Sequence, residues 1–184
     1  MTEGYHGLHG KLVDRFGTHA GGAIYSFFTS GLAMGVSAFL AWFFKQPLIF
    51  PSLGPTAYLF FESPMSKSSS PRDTIIGHFV AVIAGGISLA IFGLIGDPSI
   101  LKAGPTAAYV SSGTLSVALT GGAILLLRSS HPPAGATTLI VSLGLLNTPQ
   151  KMLTLMAGVV ILTAAGWAIN RACGVPMPIW APRG

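Results

Sequence analysis

Apolar residues in this chain gather into six blocks separated by short polar or Gly/Pro-rich breaks. Four blocks, at 22–44, 74–95, 106–127 and 152–170, are long enough for the roughly 20 helical residues that span hydrocarbon. Two others, at 47–61 and 132–146, are shorter and are interrupted by Pro51, Gly54 and Pro55 and by Pro132, Pro133 and Gly135. The order is long, short, long, then long, short, long. A shift of 81 positions carries Pro51, Gly54 and Thr56 onto Pro132, Gly135 and Thr137, and Gly77, Ala84 and Gly85 onto Gly158, Ala165 and Gly166. This pattern predicts an all-α integral membrane protein: one transmembrane domain over 22–170, arranged as a 3+3 inverted repeat with halves at 22–95 and 103–170. Four full spans plus two re-entrant segments is the alternative arrangement.

Charge bears on that choice. If all six blocks cross, one side holds seven basic residues (Lys11, Arg15, Lys67, Arg72, Arg128, Arg171, Arg183) and the other three (Lys45, Lys102, Lys151). If the short blocks turn back, the split is five against five. The positive-inside rule favours six crossings, with 1–21 and 171–184 as cytoplasmic tails. Fifteen helical residues reach only about 22 Å, so each short block needs an extended lead-in before its helix. Irregular backbone at that depth survives only inside protein or beside a wet cavity, and paired broken segments are a pointer to a transporter's binding site.

Composition fits this picture: 51% of the 184 residues are apolar and 8% charged, against about a quarter charged in soluble domains. The first twenty residues include Glu3 and Asp14 and lack a charged-then-apolar leader or an Arg/Ser-rich transit pattern. A bacterial inner membrane is therefore the expected address, with an organelle envelope as the alternative. The net charge of +5 lies mostly in loops and tails, where it suits anionic lipid, and no Lys/Arg run of the nucleic-acid-gripping kind occurs. The single cysteine, Cys173, excludes an intrachain disulfide. All five acids fall in tails or at segment ends, so a carboxylate relay for cations lacks its parts.

The candidate chemistry lies at the two breaks. Pro55 can open a short helix after the turn at Gly54, offering the N–H groups of Thr56, Ala57 and Tyr58 beside the hydroxyls of Ser52 and Thr56. Pro133 can open the other, since a missing N–H costs nothing at the first helical position; the prolines hold His131 and Pro132 out of the α region. The donors there belong to Ala134, Gly135 and Ala136, with Thr137 and Thr138 a turn further in. A helix N-terminus carries about half a positive charge and unpaired donors. Two such ends facing each other would replace the water of a small anion; prolines that merely kink packed helices are the structural alternative. His131 can donate to an anion or change charge near neutral pH, or simply bond a neighbouring carbonyl. His78, within the third block, is a second candidate for pH coupling or an interfacial residue. Ser112, Ser116 and Thr120, and more loosely Ser26, Ser30 and Ser37, recur on helix faces and read as helix-packing hydroxyls before a polar path. His6 and His9 in a tail make no metal site. With no nucleotide loop, Cys cluster or acid–base pair, neither a cofactor nor an enzyme activity is expected.

Three stretches carry a resemblance. His131-Pro132-Pro133-Ala134-Gly135-Ala136-Thr137, Pro51-Ser52-Leu53-Gly54-Pro55-Thr56-Ala57 and Pro71-Arg72-Asp73-Thr74-Ile75-Ile76-Gly77-His78 together resemble the signature elements of the HPP family of integral membrane proteins. The resemblance implies a membrane transporter, and nitrite as its leading substrate, because plant and cyanobacterial members are associated with nitrite transport. The expected activity is thus passage of a small monovalent anion, bound near the bilayer midplane by Ser52, Gly54, Thr56, Ala57, His131, Ala134, Gly135, Ala136 and Thr137, with His131 and His78 coupling it to pH. A non-transporting scaffold or subunit is the second reading, and assembly into a homo-oligomer stays open.

Overall fold

The computed structural model describes residues 7–181. Eight α-helices follow in order: α1 Leu8–Phe16, α2 Thr18–Phe44, α3 Leu53–Glu62, α4 Pro71–Ile91, α5 Ile100–Ala103, α6 Ala107–Leu126, α7 Ala134–Ser142 and α8 Pro149–Ala172. Four of them (α2, α4, α6 and α8) are long and apolar enough to cross a membrane; α3 and α7 are short helices within the two short apolar blocks. The boundaries follow local chemistry. Proline occupies the first turn of α4 and α8, and Ser70 and Thr148 cap them by accepting from the amides of Asp73 and Lys151. These two helices therefore begin three residues before the apolar blocks that announced them. Helix α4 stops at Ile91, short of the expected 95, where Gly93 takes a left-handed φ of 66°.

The tails hold more structure than expected. Within 1–21, α1 is helical and folds back on α2 through Gly17; Gly21 allows this approach, since a Cβ there would lie 2.5 Å from the Leu12 carbonyl oxygen. After α8 the chain turns, burying Val175 and Met177. The Leu8 amide bonds the Cys173 carbonyl at 3.0 Å and the Arg72 amide bonds the Trp180 carbonyl at 3.0 Å. Both described ends of the chain therefore meet at one end of the bundle, here called the tail end.

Close glycine contacts fix the directions of the short helices. Along α8, Gly158 faces the Leu48 carbonyl and the Leu53 side chain, and Gly166 faces the Phe60 ring. Asn170 then donates to the Phe60 carbonyl at 2.9 Å and accepts from the Tyr25 hydroxyl at 2.7 Å. Helix α3 thus runs alongside α8 in the same direction, after an irregular lead-in at the level of Gly158. Along α4, Gly77 faces His131 and Ala134, and Gly85 faces Val141 and the Thr138 carbonyl, so α7 runs the same way as α4. Since α4 starts at the tail end, where α8 finishes, α3 and α7 point in opposite directions with their N-termini toward each other.

Packing is by small residues and hydroxyls, as in helices that associate without a hydrophobic driving force. Ser112 donates to the Ser142 carbonyl at 3.0 Å and Ser116 to the Ser142 hydroxyl at 2.9 Å, joining α6 to α7. The face of α2 that carries Phe27, Phe28, Leu32, Phe39, Trp42 and Phe43 stays exposed, as a lipid-facing surface does.

Alanine substitution separates the glycines. Gly166→Ala places a methyl 2.5 Å from the Phe60 ring and Gly86→Ala meets nothing nearer than 3.9 Å. Helix propensity alone favours alanine by about 1 kcal/mol at either site. Gly166→Ala is expected to lower the melting temperature of the detergent-purified protein and Gly86→Ala to hold or raise it, measured by thermal-shift size-exclusion chromatography.

Candidate functional site

The two opposed N-termini meet at a buried pair of histidines. His78 sits two turns into α4, and His131 occupies the turn before α7; both are buried, at 0% and 2% exposure. Their rings approach edge to face with centroids 4.8 Å apart, and the two Nε2 atoms lie 3.1 Å apart. Thr56 of α3 brings its hydroxyl to 3.0 Å from His78 Nε2 and 3.3 Å from His131 Nε2. Thr137 of α7 brings its hydroxyl to 2.7 Å from His78 Nδ1. Gly77 makes the arrangement possible, because a Cβ there would lie 2.7 Å from His131 Cβ.

One contact settles where the hydrogens sit. His131 Nδ1 lies 2.8 Å from the Ser68 carbonyl, and a carbonyl only accepts, so Nδ1 carries the hydrogen. In a neutral ring, His131 Nε2 is then a bare lone pair. His78 Nε2 must donate across the 3.1 Å gap, its N–H shared with the Thr56 oxygen. His78 Nδ1 accepts from Thr137, and Thr56 donates to the Ser52 carbonyl at 3.0 Å. The ring hydrogens of the neutral pair are thereby assigned, in a continuous chain from Ser68 through both rings to Thr137; the Thr74 hydroxyl also lies 3.5 Å from His131 Nδ1.

Four of the residues singled out in the sequence come together here: Thr56, His78, His131 and Thr137. Ser52 precedes α3 without capping it, and its buried hydroxyl lacks a hydrogen-bond partner. Ala57 faces the apolar core and Ala134 packs against Gly77. Gly54 and Gly135 border open space, and Ala136 is half-buried. The backbone donors differ from expectation. Helix α3 begins at Leu53, whose amide already bonds the Phe50 carbonyl, so Pro55 is its third residue and the amides of Ala57 and Tyr58 lie inside the helix. The amides of Ala134, Gly135 and Ala136 each bond the carbonyl three residues back, on His131, Pro132 and Pro133, at 3.0–3.1 Å. The tight turn created by the prolines consumes the donors that it was expected to leave bare. The pair also lies about 10 Å along the 21-residue α4, a third of its length, nearer the tail end than the middle.

Sequence reasoning missed the neighbours on the tail side. Asp73, placed among the acids at segment ends, is fully buried. Its Oδ1 accepts from Arg72 Nη1 at 2.7 Å, an ion pair at the start of α4, and from the Ser129 hydroxyl at 2.9 Å. Its Oδ2 has no partner. The available signals were an aspartate three residues after the capping Ser70, and a serine two before His131. Two cavities lie away from the pair. One of about 910 Å³ opens at the tail end among α1, α2 and α3, lined by Ser26, Ser30, Tyr58 and Glu62; the other, of about 400 Å³, lies at the opposite end near Asp97, Lys102 and Lys151. His78 and His131 line neither.

Comparison with protein families places this arrangement. The model of the HPP transmembrane region matches residues 17–178, nearly the whole chain. The chain belongs to that family. This HPP protein has no match among curated proteins or solved structures. Membership and four apolar helices make it a multi-pass membrane protein. The family's eponymous His-Pro-Pro is here the turn that delivers one ring to the other.

The hydrogen assignment has a direct spectroscopic consequence. In ¹⁵N-histidine-labelled protein at neutral pH, His131 is expected as the Nδ1–H tautomer and His78 as the Nε2–H tautomer. Thr137→Val keeps the shape but leaves His78 Nδ1 buried without a donor, which costs about 1–3 kcal/mol. That variant is expected to melt earlier and to shift the His78 nitrogen signals while leaving His131 Nδ1 protonated.

Proposed function

We propose that this HPP protein is a transporter or channel for a small monovalent anion, with nitrite the first substrate to test because of the family's association with it. The observation that carries the reading is the meeting of two oppositely directed short helices at a sealed pair of imidazoles inside the bundle. Broken segments facing each other within a membrane are where transporters hold their ions. The two helices, each with its flanking long spans, form the inverted halves, and their extended lead-ins complete the crossings that their short helices cannot. The cluster's N–H and O–H groups, rather than backbone amides, replace the ion's hydration. Separation of the two rings opens the site, and the cavities at the two ends serve as its approaches.

Orientation follows from charge. Among the described residues, Lys11, Arg15, Lys67, Arg72, Arg128 and Arg171 gather at the tail end, while Lys45, Lys102 and Lys151 belong to the other end. The tail end therefore faces the cytoplasm, in a bacterial inner membrane.

Purified protein in liposomes tests the reading. Uptake of nitrite above that of protein-free vesicles is expected, with competition from other small monovalent anions such as nitrate and formate. His131→Ala should cut the flux at least tenfold with normal insertion into the membrane. Unchanged uptake by that variant removes the pair from the pathway.

A further inference from the structure

A neutral histidine pair of this geometry refuses an anion. Between the rings stand one N–H, on His78, and one bare lone pair, on His131 Nε2, 3.1 Å apart. The lone pair repels negative charge, and the single hydrogen is already shared with it and with Thr56. The tautomer cannot simply reverse, because the Ser68 carbonyl holds the other hydrogen of His131 on Nδ1. A proton added to the lone pair of His131 Nε2 changes the site. The added proton can bridge the rings, with the His78 hydrogen moved to Nδ1 where the Thr137 hydroxyl accepts it at 2.7 Å. Where His78 keeps its Nε2 hydrogen, two N–H groups face each other, the rings part, and the space between them offers two charge-assisted donors around one positive charge. A monovalent anion fits that space and neutralises it.

We infer that the protein moves its anion together with one proton, as an electroneutral 1:1 symporter whose shared site for both is the His78–His131 pair. This inference rests on the anion-transport reading above and names its second substrate. The proton adds to the His131 Nε2 lone pair on one side of the membrane and leaves from it on the other. No bond of the anion forms or breaks, and the pair returns to its neutral, sealed state.

The surroundings fit a neutral cycle. From α4 the charged groups facing the pair are Asp73 and its partner Arg72; Asp73's charge acts on His131. Lys67, before α4, and Glu62, at the end of α3, are exposed. Arg128 follows α6, Lys151 and Arg171 stand near the two ends of α8, and α7 carries no charge. Among the described residues Asp73 is thus the one buried carboxylate, on the tail side of the pair. Its Oδ2 is buried without a hydrogen-bond partner.

Proteoliposomes holding an internal pH dye, with the potential clamped by potassium and valinomycin, test the coupling. Nitrite and nitrate are the probes, with protein-free vesicles subtracting leakage of the neutral acid. Internal acidification of one proton per anion is expected, unaffected by the imposed potential. An inward gradient of about one pH unit should accumulate the transported anion tenfold at equilibrium. His78→Gln and His131→Gln, which keep a donor but cannot take the proton, should abolish gradient-driven accumulation. Uptake driven by potential without acidification overturns the symport and leaves anion transport standing. No uptake of either anion by inserted protein sinks transport itself, and the coupling with it.

Discussion

Hydrocarbon offers no hydrogen bonds, and the rest of the structure answers to that fact. Hydroxyls on the long helices turn back onto their own backbone: Thr29 bonds the Tyr25 carbonyl, Thr120 that of Ser116 and Thr163 that of Val159. Where the backbone cannot be helical, protein covers it. The lead-in to α3 lies against Gly158 of α8, and the turn before α7 lies against Gly77 of α4. Asn170 meets both a hydroxyl and an otherwise unpaired carbonyl at the end of α3. Under the same pressure two buried imidazoles satisfy each other.

Much of this was legible in the sequence. The alternation of long and short apolar blocks gives the element order, because helix length and hydropathy are local properties. Pro51-to-Ala57 and His131-to-Thr137 mark the breaks, because proline and glycine act on their own residues and neighbours. His78, His131, Thr56 and Thr137 stood out as polar groups where polar groups are costly. What joins them was not legible. Nothing periodic in the sequence says that the Ser68 carbonyl reaches His131, or that Asp73 at a helix start lies under Ser129 rather than in water. The amides of Ala134, Gly135 and Ala136 illustrate the limit. Two prolines do free a helix start, yet the turn they enforce folds three carbonyls back onto it.

The glycines show how the bundle holds without water to drive it together. Gly77, Gly85, Gly158 and Gly166 each stand where a methyl group would collide with a neighbour. Dispersion between closely approaching backbones and bonds such as Ser112 to Ser142 take the place that apolar burial has in soluble proteins. Gly54 and Gly135, by contrast, border open space, so their small size serves no contact within the chain.

Helix α4 has a mechanical consequence. One of its faces carries Gly77 and Gly85 against α7, and the same helix presents His78 to Thr56 of α3. Helix α7 packs along α4, whereas α3 meets it chiefly through the His78–Thr56 hydrogen bond. A slide of α4 would carry α7 by the glycine notches and pull on that single joint to the opposing piece.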